Sequence, residues 1–131
     1  MELAPGAART FAILGAANAF LAVALGAFGA HALRGRLAPG LDSTYHTASQ
    51  YHFYHALGLI AIALLMAHLP DATMLRAAGW TMLAGIVLFS GSLYLLAITG
   101  IPWLGAITPL GGVAFLAAWV LVAVALARAP R

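Results

Sequence analysis

The sequence predicts an all-α fold: a polytopic membrane protein built as an antiparallel bundle of four transmembrane helices with short loops. Three observations predict it. Of 131 residues, 64% are hydrophobic and only 7% are charged, against roughly 45–50% and 25% in ordinary soluble domains. The mean hydropathy is +1.01, which implies more apolar surface than a soluble chain of this length can bury. The apolar residues also fall into four runs, each reaching the roughly 20 residues that cross a hydrocarbon core of about 30 Å. Backbone groups in such a core must satisfy one another, so each run is read as a helix.

The first run covers residues 10–33. Arg9, the apolar stretch and the small-residue triplet Ala30-His31-Ala32 imitate a cleaved signal peptide, but the stretch is too long for a signal's apolar region. The second run covers 43–68, with Asp42 or Ser43 available as N-cap. The third covers 73–99, with Asp71 before it. The fourth covers 107–128, where Thr108 followed by Pro109 reads as an N-cap with proline at the first helical position. RGRLAPGLD, LPDA and GIPWLG join them, and such short links make neighbouring helices antiparallel.

Charge is sparse: six arginines, no lysine, and the three acids Glu2, Asp42 and Asp71. An isoelectric point near 10.0 built from so few groups marks topology, and no nucleic-acid partner is expected. Arg9, Arg76, Arg128 and Arg131 fall on one side of the bundle, Arg34 and Arg36 on the other. The positive-inside rule then puts both termini in the cytoplasm, with the chain in the cell inner (plasma) membrane. Arg34 and Arg36 are candidate contacts for anionic lipid head groups. There is no cysteine, which excludes disulfides and thiolate metal sites.

No Asp, Glu or Lys lies inside the four runs. Proton relays and ion-coupled transport need titratable groups there, and Asp42 and Asp71 stand in separate connections, so no carboxylate pair is available for acid–base catalysis. The histidines remain. Four of five lie in 43–68, with Tyr45, Tyr51 and Tyr54 each directly before one. At 100° per residue, Tyr51, His52 and His55 share one sector while His46 lies opposite His55. His52 and His55 could hold one edge of a metal with His31 as a third nitrogen. The plainer reading is an aromatic belt that hydrogen-bonds within the bundle, and no metal is predicted. Residues 43–50 are expected to form a polar interfacial turn, because 43–68 measures about 39 Å. His55 is expected inside, facing the first and third helices, with Ser90, Ser92 and Tyr94 as partners. Asn18 and Thr99 are further buried polar candidates. Small residues at Ala22, Gly26 and Ala30, with Gly29 beside them, and at Ala77, Thr81 and Gly85 follow the spacing that lets helices approach closely.

LGAFGAHALRGRL (25–37), YHFYHALGL (51–59), LFSGSLYLLAITG (88–100) and ITPLGG (107–112) resemble the motifs of the YgdD-like family of small inner-membrane proteins. That family is a domain of unknown function numbered 423, with relatives in animal mitochondria. The resemblance covers nearly the whole chain, in order, and implies a four-helix membrane protein without implying an activity. It places His31, Arg36, Tyr51, Tyr54, His55, Ser90, Gly91, Ser92, Tyr94, Thr108, Pro109 and Gly111 on motif positions. His52 stands where relatives usually carry glutamine, and His46 matches no motif residue, so a site that needs His52 would be particular to this chain.

Lacking catalytic groups, the sequence reads first as a non-enzymatic lipid-binding protein or an accessory subunit of a membrane complex, with membrane lipids, a membrane-protein partner or a second copy as its company. One alternative is a redox protein holding haem or quinone at His31 and His55, though no cofactor is predicted outright. The other is an oligomeric channel for a small neutral solute.

Overall fold

The structure, a computed structural model, describes residues 6–131; Glu2, counted above among the acids, lies outside them. Helix α1 (Ala7–His31) leads through a hairpin to α2 (Leu41–His68). The third span is continuous but not uniform: α3 (Thr73–Gly85), a π-helical turn (Ile86–Gly91) and α4 (Ser92–Thr99). A 3-10 turn (Pro102–Ala106) then enters α5 (Thr108–Ala127). All four spans are long and apolar enough to cross a membrane, and no strand occurs among the described residues.

The central helix is α2. It packs along α1 on one side and along the third span on the other, while α5 lies mainly against α3 and the π-turn. Leu59 and Ile62 of α2 are sealed from the surface together with Phe11, Leu75 and Met82. Missing side chains set these distances. A Cβ on Gly15 would stand 2.6 Å from Ile60 Cγ1 and 2.9 Å from the Ala56 carbonyl oxygen, so α1 sits as close to α2 as backbone allows. Gly79 seats the Phe11 ring and Gly85 the Phe115 ring in the same way. In lipid such close packing is a main source of association, because the surrounding chains are as apolar as the helices.

The local signals differ in places from the sequence reading. The helix bounds are Ala7–His31 rather than 10–33, and Leu41–His68 rather than 43–68. Gly40, at φ 83°, begins α2 without a side-chain cap; Ser43 Oγ instead donates back to the Gly40 carbonyl. Asp71 accepts the Thr73 backbone N–H at 3.0 Å. Thr108 does not cap α5: its hydroxyl is engaged with Ser92 Oγ at 2.7 Å. Gly100, at φ 68°, closes α4 with a left-handed turn. The expected small-residue stripe in the third span is displaced: Ala77 faces outward, and the buried face runs through Leu75, Ala78, Gly79, Met82 and Gly85.

Span lengths give the bundle a step. With a helical rise of about 1.5 Å per residue, the 28 residues of α2 measure about 42 Å and the 20 residues of α5 about 30 Å. The Ser92–Thr108 bond sets the start of α5 level with the start of α4. The eight residues of α4 climb about 12 Å further. At the hairpin end, therefore, α1, α2 and α4 stand above α5, and Pro102–Ala106 descends to it.

Candidate functional site

Two polar constructions occupy α2. The first crosses three helices. His52 Nδ1 lies 3.0 Å from Tyr94 Oη, and His52 Nε2 lies 2.9 Å from Asn18 Oδ1. Asn18 Nδ2 donates to the Leu14 carbonyl at 2.8 Å. A carbonyl can only accept, so that bond fixes the Asn18 amide and leaves Oδ1 as an acceptor. His52 must then donate from Nε2 and accept the Tyr94 hydroxyl proton at Nδ1. The result is a one-way chain from Tyr94 through His52 and Asn18 to the α1 backbone. Tyr45 packs edge-on against Tyr94, with ring centroids 5.3 Å apart, and donates its own hydroxyl to the Leu25 carbonyl at 2.5 Å.

The second construction is an aromatic groove between α2 and α5. His55 is 5% exposed and stacks flat on Phe115, with centroids 3.5 Å apart and planes 7° from parallel. Its Nδ1 donates to the Tyr51 carbonyl at 2.7 Å, and its Nε2 accepts the Trp119 indole N–H at 3.1 Å. The donor and acceptor types of these partners settle the tautomer, which is the opposite of that at His52. Beside this pair opens a groove of about 600 Å³, walled by Tyr51, Tyr54, Phe89, Phe115, Leu116 and Trp119. Tyr51 and Tyr54 stand at its exposed rim, and no hydrogen bond engages either phenol among the described residues. The tight approach of α5 comes from Gly111, which lies directly on the Phe89 backbone. That contact falls on the π-turn, a distortion often found where helices carry function.

These positions redraw the expected cluster. His55 is inside the bundle, but it turns toward α5 rather than toward α1 and the third span. Its partners are Tyr51 and Trp119, not Ser90, Ser92 or Tyr94. Tyr94 goes to His52. Ser92 donates to the Phe89 carbonyl and meets Thr108, while Ser90 Oγ is buried without a hydrogen-bond partner. His31 is exposed at the end of α1. Gly29 packs on the Tyr45 ring, ten residues or about 15 Å along α2 from His55, so His31 and His55 do not meet. Arg34 and Arg36 are exposed in the hairpin. In the sequence Asn18 is no more than a polar candidate, and Phe115 and Trp119 carry no signal within an apolar run. Only the pairing of α2 with α5 reveals them. No group of three metal-ligating side chains gathers among the described residues, and all four ring nitrogens of His52 and His55 are engaged within the protein.

Comparison with known proteins gives a consistent membrane setting. The family described as "Protein of unknown function (DUF423)" matches residues 25–112. UPF0382 membrane protein YwdK of Bacillus subtilis is 56% identical over 117 residues, covering 89% of this chain and 95% of that protein. UPF0382 membrane protein SERP0230 of Staphylococcus epidermidis is 47% identical over 117 residues, with 89% and 94% covered. UPF0382 membrane protein SAB0533 of Staphylococcus aureus is 44% identical over the same length and shares. No solved structure matches.

Proposed function

Given that the chain belongs to the DUF423 family and is a multi-pass membrane protein, we propose that it is a non-enzymatic lipid-binding protein whose ligand lies in the α2–α5 groove. The observation that supports this is the groove's construction: aromatic walls, a volume of about 600 Å³, and a floor stiffened by the Phe115–His55–Trp119 contacts. Pockets of roughly 300–1,000 Å³ suit small organic ligands, and this one opens sideways between two spans, as entry from a bilayer requires. The ligand is an acyl or isoprenoid chain.

A second reading is favoured by one specific feature. The free phenols of Tyr51 and Tyr54, with ring centroids 5.8 Å apart, offer two donors at the rim of a stacked aromatic wall. That arrangement suits the two carbonyls of a quinone head, with its tail along Leu116 and Trp119. Haem loses support, because each ring nitrogen of His55 already has a partner. The apolar outer face of α1, with Phe20, Val23 and Phe28 exposed, is what lipid contact itself requires, so it carries no argument for a partner subunit.

The test is extraction of the protein in mild detergent followed by mass spectrometry of whatever co-purifies. Val113→Trp places a large ring in the groove from an exposed position and is expected to remove the bound lipid while the protein stays inserted. An unchanged lipid content in V113W would overturn the assignment. Loss of a quinone in a Tyr51→Phe, Tyr54→Phe double variant, with phospholipid retained, would select the second reading. The inner membrane and cytoplasmic termini complete the proposal. Supporting it, Arg9, Arg76 and Arg128 sit at one end of the spans and Arg34 and Arg36 at the other. A cysteine introduced at Arg36, in a chain with no native thiol, should react with an impermeant maleimide from outside.

A further inference from the structure

The tall end of the bundle carries a separate pocket. Between the last turns of α1, the hairpin and the first turns of α2 lies a space of about 310 Å³ lined by Gly26, Gly29, Arg34, Asp42, His46 and Ser49. Gly26 makes room by lacking a side chain, its nearest neighbour being Ser49 Oγ at 3.8 Å from where a Cβ would stand, while the Tyr45 ring fills the space at Gly29 and closes the floor. The step in the bundle fixes its depth. If α5, about 30 Å long, matches the hydrocarbon core, the first turns of α2, about 12 Å, rise above it. Asp42 and His46 are in that excess, while Gly26 and Ser49 lie at its lower edge. The pocket is therefore at head-group level, with Gly26 and Ser49 on its membrane side.

Its charges are mixed. Arg34 brings a guanidinium and Asp42 a carboxylate into the same space, and no ion pair joins them among the described residues. A site for a simple anion would have no use for the carboxylate. From this juxtaposition we propose that the pocket binds the phosphoethanolamine head of a glycerophospholipid. The phosphodiester sits at Arg34, where a forked donor suits phosphate oxygens, with His46 as a second donor. The primary ammonium sits at Asp42, donating its hydrogens to the carboxylate. Choline has no N–H to give, and a glycerol head brings no cation to offset Asp42. The acyl chains descend past Gly26 and Ser49. This site shares no residue with the α2–α5 groove and stands or falls separately.

The test is native mass spectrometry of the purified protein with tail-matched phosphatidylethanolamine, phosphatidylcholine and phosphatidylglycerol, and with soluble phosphoethanolamine. Wild type should retain the ethanolamine lipid over the other two. Arg34→Gln should weaken it about tenfold, the scale of one charge-assisted contact, and Arg34→Lys should restore part of it. Asp42→Asn should reverse the preference toward phosphatidylglycerol. Both side chains are exposed, and retained helicity by circular dichroism confirms that each variant is folded. Equal retention of the three lipids, or ratios unmoved by R34Q and D42N, would overturn the proposal. So would soluble phosphoethanolamine binding as tightly as the lipid, since the site would then serve a free metabolite.

Discussion

Replacing His52 tests the one-way hydrogen-bond chain, because two substitutions of similar size should behave oppositely. His52→Leu deletes both the donor to Asn18 Oδ1 and the acceptor for the Tyr94 hydroxyl. His52→Gln keeps one of each: its amide nitrogen can donate to Asn18 while its carbonyl accepts from Tyr94. In soluble proteins a buried group stripped of its partner costs about 1–3 kcal/mol. Between transmembrane helices a hydrogen bond averages about 0.6 kcal/mol and reaches about 1.7, since the unfolded chain in the membrane finds partners too. The membrane scale governs here, and two lost bonds predict that H52L is less stable by about 1–3 kcal/mol. Leucine gains little in return, because lipid is already as apolar as its side chain. H52Q should fall within about 0.5 kcal/mol of wild type, less than one average bond. Reversible unfolding in mixed detergent and SDS micelles, followed by circular dichroism, measures both. If H52Q is as damaged as H52L, or H52L is as stable as wild type, the chain is not the stabilising element described.

Three further outcomes are expected. Gly15→Ala should loosen α1 from α2 at a cost of about 1–3 kcal/mol by overpacking, whereas Gly26→Ala, whose nearest neighbour would be Ser49 Oγ at 3.8 Å, should be neutral in the same unfolding assay. Trp119→Phe removes the donor to His55 Nε2 and should cost about 0.6–1.7 kcal/mol together with part of the bound lipid, read by unfolding and by lipid extraction. Asp71, outside the spans, has its carboxyl held below the ordinary 3.8 by the Thr73 backbone N–H and then by the Thr73 hydroxyl. With the folded value below the unfolded one, its contribution is complete above the unfolded value and fades as pH falls through the lower folded one. A carbon-13 titration of Asp71 should therefore have its midpoint under 3.8, and D71N should abolish pH dependence in that window.

The fold is legible because lipid leaves the backbone so few choices: four apolar runs of sufficient length become four helices. The site is less legible, and His52 shows why. Taken as a metal ligand, a histidine at a position where the family resemblance implies glutamine looks incidental. As a hydrogen-bond relay, each of the two residues offers a donor and an acceptor, and the position becomes the hub of three helices. Read from the sequence, His55 should seek the hydroxyls of the third span, but side-chain count along a sequence says nothing about which helix comes nearest. Gly111 brings α5 close, and Trp119 reaches the ring first. The step at the hairpin end is equally hidden, since it depends on Thr108 bonding Ser92 rather than capping its own helix.

The wide turn at Ile86–Gly91 has a consequence for how related chains can vary. Before it the buried positions are Leu75, Ala78, Gly79, Met82 and Gly85; within it Ile86 and Ser90 are buried, and after it Ser92 and Ala97, with Tyr94 between the last two. A π-turn closes its hydrogen bonds from i to i+5 where an α-turn closes them from i to i+4, so Ile86–Gly91 takes up one residue more than an α-turn would. The turn therefore acts as a phase correction of one residue, letting α3 mesh with α5 while α4 presents Tyr94 to α2. A substitution within it can be absorbed locally. Gain or loss of a single residue cannot, because it would rotate everything beyond by about 100° and uncouple Tyr94 from His52. Alignments of related chains should consequently run without a gap through this segment, even where its residues differ.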